Sequence, residues 1–386
     1  MKLSKKSILL VIYLVFLFSP ACKRVELKEN SRQIKVGVFN INGDSPWCIT
    51  DAMEALKIDP NIDCEIIRAS QIMSDEILQF DAIVFPGGSG RAETESLGSL
   101  GIERVKYLVK EKGIAVVGIC AGAYIMTNTP DYPCLKLNGF EAIDIEHDHR
   151  GYGLTKFALT KKGIDIFPEL KNRTVSFCQY YEGPILIPVK DDAPKIELAS
   201  MLSDIHTVEG SPANMTVNRP FIVTSSFGKG KVASFVGHPE STPGMRWMLP
   251  RMIRWATNQK LISYSSEIIR PDFYKHEIIF DQKVEKIQST YYKNLSGNTK
   301  EKLEAIDKVI ELACWSAKKW IPGMLRDQDS NVRSKASEAL LLLERTDAIP
   351  DLQIAIQNET NDKTKQQLIV NLNHLKALLG ANTKSQ

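Results

Sequence analysis

The sequence has little net charge, and this limits the partners that the protein can bind. Its 386 residues include 49 basic and 46 acidic side chains, which give a formal charge of +3. Three of the lysines lie within residues 1–21, which contain no acidic residue, so the rest of the chain carries 46 charges of each sign. Because phosphate binding needs a basic surface, this balance argues against nucleic acid as a partner.

Signatures of metal and phosphate binding are also missing. The seven cysteines show neither a CxxC pair nor the spacing of a zinc site. Gly-Lys-Gly-Lys at residues 228–231 lacks the spacing and the following helix of a phosphate loop, so a hairpin turn is the better interpretation. Glu-His-Asp-His-Arg at residues 146–150 offers two imidazoles without a third ligand, which predicts a polar loop at the rim of a crevice. We therefore predict no metal and no cofactor.

The first 22 residues have the organisation of an export signal. Three lysines precede an apolar run at residues 8–18, and Ser-Pro-Ala-Cys follows at residues 19–22. The ending resembles a bacterial lipoprotein signal in which Cys22 is lipidated, although Ser19 stands where leucine is usual. An uncleaved anchor and an ordinary signal peptide are the alternatives. All three place the mature chain outside the cytoplasm, and the first predicts a membrane-anchored lipoprotein of the cell envelope, periplasmic or on the outer surface, with residues 23–33 as a tether.

Strand-like and helix-like segments alternate from residue 34 to residue 262. This alternation predicts an α/β domain with a doubly wound, mostly parallel sheet, whose ligand crevice lies at the carboxyl ends of the strands. The predicted strands are residues 34–39, 63–67, 81–85, 114–119, 173–179 and 184–188, with a hairpin at 221–227 and 232–236. The predicted helices are residues 47–56, 101–112 and 245–257.

The central motif lies at residues 114–124, where an apolar β-branched run meets Gly-Ile-Cys-Ala-Gly. Gly-x-Cys-x-Gly between a strand and a helix is the cysteine form of a nucleophile elbow, a sharp turn that projects Cys120 above the sheet edge. The following helix would direct its N–H groups and positive dipole end at the thiol. The alternative is a buried core cysteine that lies between glycines by chance.

A cysteine nucleophile needs a base, and the base needs an orienting group. His238 follows an apolar strand and has a carboxylate two residues later. Residues i and i+2 of an extended segment point to the same side, so Glu240 can orient the imidazole of His238. The sequence therefore predicts a Cys120–His238–Glu240 triad. The backbone N–H groups of Gly88 and Ala121 are the candidate oxyanion donors.

Three motifs together resemble the class I glutamine amidotransferases. They are Pro-Gly-Gly-x-Gly at residues 86–90, Gly-Ile-Cys-x-Gly at 118–122 and His-Pro-Glu at 238–240, in the order typical of that family. Tyr-Tyr-Glu-Gly-Pro at 180–184 and the Phe-Gly-Lys-Gly-Lys-Val run at 227–232 resemble more closely the N-terminal domain of fungal biotin–protein ligases, which also occurs as free-standing bacterial proteins. This resemblance covers residues 34–257, and no ligase catalytic domain is present.

The resemblance implies an amidotransferase-type fold and a set of substrate contacts. The implied substrate-binding residues are Gly87, Tyr124, Tyr181 and Glu182. Tyrosines beside a Gly-Pro turn are also common in ordinary packing. The resemblance does not imply biotinylation, because the ligase domain is missing.

The pattern becomes purely helical after a connector at residues 263–296. Residues 329–352 resemble a HEAT-like unit, the next unit starts at residue 361, and a weaker copy covers residues 300–322. Stacked helix pairs present an elongated surface. We therefore predict an all-α HEAT-like repeat domain at residues 297–382 that docks a protein partner.

These expectations lead to a cysteine amidohydrolase-like function. The predicted protein is exported and tethered to the membrane, and its triad acts on a small-molecule or peptide amide. One alternative is a noncatalytic binding or scaffold protein on the same fold, with the repeats docking a protein. Another is a glutaminase subunit that serves a separate synthetase, because the chain contains no candidate for a synthetase domain of its own.

Overall fold

The computed structural model describes residues 32–40, 43, 45–190 and 194–379, except for the side chain of His147. The described residues from Gln33 onwards form one compact unit. The predicted signal segment, Cys22 and most of the predicted tether lie outside the described residues. None of the helices within the described ranges has the length and apolar character needed to cross a membrane.

The unit is built on a ten-stranded mixed sheet with a separate two-stranded ribbon. The strands are β1 Ile34–Phe39, β2 Ile62–Ile67, β3 Ala82–Phe85, β4 Ala115–Ile119, β5 Phe140–Ala142, β6 Tyr152–Leu159, β7 Ser176–Tyr181, β8 Leu186–Pro188, β9 Lys195–Met201, β10 Pro220–Phe227, β11 Gly230–Phe235 and β12 Ile278–Ile279. The main sheet has the order β12-β6-β9-β10-β11-β4-β3-β1-β2, with β7 paired to β6, and β5 pairs with β8 in the ribbon.

Eleven α-helices lie in the described ranges, and the last five belong to the C-terminal helical region. They are α1 Pro46–Leu56, α2 Ala69–Met73, α3 Gly90–Tyr107, α4 Ala121–Ile125, α5 Lys161–Ile166, α6 Met248–Ala256, α7 Gln282–Asn294, α8 Thr299–Glu311, α9 Ser330–Leu342, α10 Ile349–Asn358 and α11 Asp362–Ala377. One π-helical turn follows α3 at Leu108–Lys112. Short 3-10 helices lie at Asp75–Gln79, Ile145–His147, Pro168–Leu170, Pro239–Ser241, Trp315–Lys319, Ile321–Arg326 and Thr346–Ala348.

The strands β2, β1, β3, β4 and β11 are parallel, and they form the half of the sheet that positions the candidate nucleophile. The other half, from β10 to β12, is antiparallel. The α/β class and the hairpin predicted around residue 228 are therefore confirmed, with Ile222 opposite Phe235 in the hairpin. Of the strands in this half, β7 and β10 were predicted, whereas β6 and β9 were missed because apolar and polar residues do not alternate throughout either strand.

Alternate residues of the buried strands enter two different hydrophobic cores. In β3, Val84 contributes to the core that also holds Trp247 just before α6, whereas Ile83 contributes to the core beneath α3. Both faces of these strands are consequently covered by helices, which explains their continuous apolar sequence. This packing makes the parallel half a three-layer α/β structure.

The helix predicted at residues 101–112 begins earlier and ends differently. α3 starts at Gly90, where the Ser89 hydroxyl accepts a hydrogen bond from the Ala92 N–H at 3.2 Å, and it is kinked at Gly98, which has φ +62°. The start was missed because residues 91–99 carry few apolar side chains and include Gly98, so the segment shows no amphipathic period. The early start is important for the site, since it brings the first turn of α3 beside Cys120.

The C-terminal helical region shares a hydrophobic core with the antiparallel half of the sheet. Leu154 of β6, Phe177 of β7 and Phe280 pack in one cluster with Ile306 of α8 and Leu340 of α9. We call this set the shared core. The prediction of a C-terminal helical region is confirmed, and its helices pack directly on the sheet.

We expect Gly122→Ala to destabilise the fold, because a Cβ at this position would lie 2.0 Å from the carbonyl oxygen of Phe85. Overpacking of this kind costs roughly 1–3 kcal/mol in the free energy of unfolding. Gly323→Ala is the matched control, because its added Cβ would meet no atom within 4 Å. Urea unfolding monitored by tryptophan fluorescence tests this prediction, and equal stability of the two variants would contradict it.

Candidate active site

Cys120 lies at a strained turn between β4 and α4. Its backbone has φ 52° and ψ −106°, a region that residues with a side chain rarely occupy. A Cβ at Gly118 would lie 2.4 Å from the carbonyl oxygen of Gly122, so neither flanking position has room for a side chain. The backbone thus has the geometry predicted for a nucleophile elbow. The following helix α4 is only five residues long, so the predicted contribution of its dipole is small.

The strand pairing places His238 next to this turn. Strand β11 runs parallel to β4 with Phe235 opposite Ile119, so both chains leave the sheet at the same edge. The Cys120 N–H then donates to the Phe235 carbonyl at 2.9 Å. The His238 N–H donates to the Gln179 carbonyl at 2.7 Å, and the His238 carbonyl accepts from the Thr242 hydroxyl at 2.7 Å. These bonds fix the backbone that carries the imidazole.

The three residues of the predicted triad are in contact. His238 Nδ1 lies 2.8 Å from Glu240 Oε1, and both side chains are buried. Since Nδ1 faces the carboxylate, Nε2 is the nitrogen that remains for the side-chain hydrogen bond between His238 and Cys120. Cys120 Sγ is also 3.2 Å from the Tyr181 carbonyl oxygen. The structure therefore brings together a nucleophile, a base and a group that orients the base.

The charges in this contact favour the protonated form of His238. Burial alone would lower the pKa of His238, but the charges of Cys120 and Glu240 and the hydrogen bonds to both raise it to about 10. The protonated imidazole lies beside the sulfur of Cys120, which is the arrangement of a cysteine–histidine pair.

The triad opens into a cavity of about 600 Å³. Most of the predicted site residues line it, namely Cys120, His238, Gly88, Ala121, Tyr124, Tyr181 and Glu182. Gly87 lies directly against His238, because a Cβ at position 87 would lie 2.6 Å from His238 Cε1. Glu240 lies behind the imidazole. The volume is within the range of small-molecule sites.

The loop at residues 146–150 lies at the cavity, as predicted. Asp148 and His149 line it, and His149 Nδ1 is 2.6 Å from Glu182 Oε1. Arg150 is buried instead and pairs with Asp144, which also accepts from the Tyr124 hydroxyl. Within the described ranges, no group of three or more His, Cys, Asp or Glu side chains is arranged to hold a metal ion.

Sequence reasoning missed several residues of the cavity. Cys48, Arg91 and Tyr132 line it, and so do Trp315, Ser316 and Lys319 of the C-terminal helical region. Arg91 follows from the early start of α3. The last three carry no recognisable motif, and only the folded chain brings them to Cys120.

Glu93 is a buried carboxyl group close to the nucleophile. It lies on the first turn of α3, and neither of its side-chain oxygens has a hydrogen-bond partner within the described part of the chain. Burial raises the pKa of Glu93 well above its usual value, and the charge of Cys120 adds to this effect. Nothing in the sequence distinguishes it from the exposed Glu95 two residues later.

No protein-family model matches the chain. A segment of 120 residues is 32% identical to the pyridoxal 5'-phosphate synthase subunit PdxT of Picrophilus torridus. This segment is 31% of the present chain and spans only 59% of the length of that relative. Together with the elbow, the match supports a glutamine amidotransferase-like fold.

Solved structures show a looser likeness. A ThuA-like protein of Parabacteroides merdae aligns with a TM-score of 0.45 at 10% identity, over 64% of this chain and 100% of that protein. The glutaminase domain of Trypanosoma brucei CTPS, solved with bound acivicin, aligns with a TM-score of 0.39 at 13% identity, over 60% and 97%.

We expect the imidazole of His238 to remain doubly protonated at pH 8. The folded-state pKa of His238 is raised, so the stabilisation that its charged ring gives the fold is present in full below about pH 6.5 and is lost as the pH rises through about 10. Glu240→Gln removes a charge that raises this pKa, and we expect the titration midpoint to fall. NMR of ring-labelled histidine measures the midpoint, with Glu95→Gln as the surface control. A midpoint near 6.5 in the unmodified protein would contradict the expectation.

Cys120 should react rapidly with iodoacetamide at pH 6, and His238→Ala should slow this reaction by roughly tenfold or more, because the thiolate loses its counter-charge. Peptide mass spectrometry separates the reaction at Cys120 from that at Cys48. Burial raises the pKa of the Cys48 thiol well above its usual value, so Cys48 should react slowly. A slow reaction at Cys120 that His238→Ala leaves unchanged would argue against an activated pair.

Proposed function

We propose that this protein is a cysteine amidohydrolase that cleaves an amide bond through Cys120, His238 and Glu240. The observation that carries the proposal is the buried contact of these three side chains at the base of a cavity of about 600 Å³. The segment similar to a pyridoxal 5'-phosphate synthase subunit supports this proposal, because it supports the amidotransferase-like fold.

The reaction follows from the positions of the groups. The reaction begins from the pair in which Nε2 of His238 carries the proton and Glu240 holds Nδ1. Sγ of Cys120, as the thiolate, attacks the amide carbonyl carbon. We propose that the Gly88 and Ala121 N–H groups bind the resulting oxyanion, since both residues line the cavity beside the sulfur. His238 then gives its Nε2 proton to the leaving amine, the C–N bond breaks and a thioester forms. Neutral His238 next takes a proton from water, the resulting hydroxide attacks the thioester carbonyl, and loss of the sulfur as thiolate releases the acid and restores the starting pair.

The cavity offers two cationic side chains that can bind an anionic group of a substrate amide. Arg91 and Lys319 line it, together with the carboxylates of Asp148 and Glu182. Glu182 Oε1 already lies 2.6 Å from His149 Nδ1. We therefore place carboxylate-bearing amides, including glutamine and γ-glutamyl compounds, first among candidate substrates.

The finer affiliation and the location of the protein are part of the proposal. The Tyr-Tyr-Glu-Gly-Pro and Gly-Lys-Gly-Lys motifs support a relationship to the N-terminal domain of biotin–protein ligases. The spacing of the C-terminal helices supports a HEAT-like arrangement that docks a protein partner. The Ala-Cys ending of the leader supports export and lipid attachment at Cys22.

A glutaminase subunit is the second candidate function. The relative from Picrophilus torridus is named as a subunit of a synthase, and this favours a chain that works with a separate synthetase. Such a subunit would hydrolyse glutamine by the same chemistry and deliver ammonia to its partner.

The expected result of a substrate screen is amide hydrolysis that depends on Cys120. The purified protein is incubated with glutamine, γ-glutamyl amides and short peptides, and released ammonia or amine is measured with Cys120→Ala as the control. Intact-mass spectrometry after rapid quenching should show an acyl adduct on Cys120. Glutamine hydrolysis that appears only with an added synthetase would favour the subunit function. If Cys120 is alkylated as slowly as an ordinary thiol and none of these compounds is hydrolysed or leaves an acyl adduct, the result would favour a binding protein.

A further inference from the structure

One residue of the C-terminal helical region touches the catalytic base. The indole of Trp315 lies against the imidazole of His238, with 4.7 Å between the ring centroids and 77° between the ring planes. Trp315 also lines the cavity together with Ser316 and Lys319. His238 is thus held between Glu240 on one side and a tryptophan from a distant part of the chain.

Buried polar contacts fix the turn that carries Trp315. The Lys318 ammonium pairs with Asp51 of α1, and Asp51 accepts a second hydrogen bond from Ser241, the residue after Glu240. The same ammonium lies 4.5 Å from the centroid of the Trp315 ring. A buried ion pair of this kind is sensitive to geometry, because breaking it leaves an uncompensated charge. The indole therefore has little freedom to move away.

Arg345 makes a second connection between the same parts. Its guanidinium donates to the Lys318 carbonyl and lies 5.2 Å from the centroid of the Trp47 ring, and Trp47 lines the cavity. The Glu344 carboxylate accepts from the Gly244 N–H at 2.9 Å, a few residues after the catalytic segment. These contacts join the C-terminal helical region to Trp47 at the cavity and to the segment that follows Glu240.

We propose that Trp315 is a positioning residue for the proposed amidohydrolase reaction. Its indole holds the imidazole of His238 in the orientation that faces Cys120. The proposal rests on the function proposed above and assigns part of the active site to the C-terminal helical region. A free imidazole can rotate about χ1 and χ2, and Glu240 restrains it at Nδ1. The indole packs against the ring with the two planes nearly perpendicular, so it occupies space into which the imidazole would otherwise turn. Small displacements of a catalytic group cost large factors in rate.

Two substitutions at one position separate ring contact from simple packing. Trp315→Phe keeps an aromatic ring against the imidazole, whereas Trp315→Leu keeps apolar volume without a ring. We expect Trp315→Leu to slow alkylation of Cys120 at pH 6 by about tenfold and to change its pH profile, and Trp315→Phe to restore most of the rate. Trp320→Leu is the control, because Trp320 is half-exposed and packs on Tyr292 in the same region.

The readout is the rate of iodoacetamide alkylation from pH 5 to pH 9 in the full chain, and thermal unfolding is measured in parallel to confirm that each variant folds. Faster or unchanged alkylation in a folded Trp315→Leu variant would overturn the positioning role, since the indole would then only line the cavity. Equal slowing by Phe and Leu would overturn it as well. His238→Ala distinguishes the two proposals: if it leaves alkylation unchanged, the proposed function fails, and if it slows alkylation while Trp315→Leu does not, only the present inference fails.

Discussion

The close approach of two backbone segments is the constraint on which the candidate site depends. The turn at Cys120 brings Gly122 so near to Phe85 that an added Cβ would lie 2.0 Å from its carbonyl oxygen. This contact joins the ends of β3 and β4, and it holds the thiol above the sheet with a positive φ. Because β11 runs beside β4, the same edge receives His238. The order of the parallel strands thus brings the nucleophile and the base to the same edge of the sheet.

The electrostatics of the site follow from burial. His238 and Glu240 are both buried, so their interaction is screened little by water, and the pKa of His238 rises although burial itself opposes the charged form. Neither side-chain oxygen of Glu93 has a hydrogen-bond partner among the described residues, so burial raises the pKa of Glu93 and favours its neutral form.

The sequence was informative where function depends on local pattern. The glycines around Cys120 and the spacing of His238 and Glu240 are short-range features, and they predicted the turn at Cys120 and the contact of the triad. The alternation of strand and helix segments predicted the parallel half of the sheet. The antiparallel half was less visible, since β12 has only two residues and the alternation of apolar and polar residues is interrupted in β6 and β9. Trp315 could not be predicted, because an indole in a polar turn looks the same whether it faces water or a histidine. Its role depends on long-range packing, which leaves no periodic signal.

The shared core makes the two parts of the chain depend on each other for burial. Leu154 and Phe177 of the sheet and Ile306 of the helical region belong to one buried cluster, so neither part covers its own apolar surface alone. A sheet domain cut free of the helices would expose an apolar patch, and the helical segment on its own would do the same. The helical region is therefore part of the folded unit that carries the site, and it cannot be removed as a separate domain without exposing that surface.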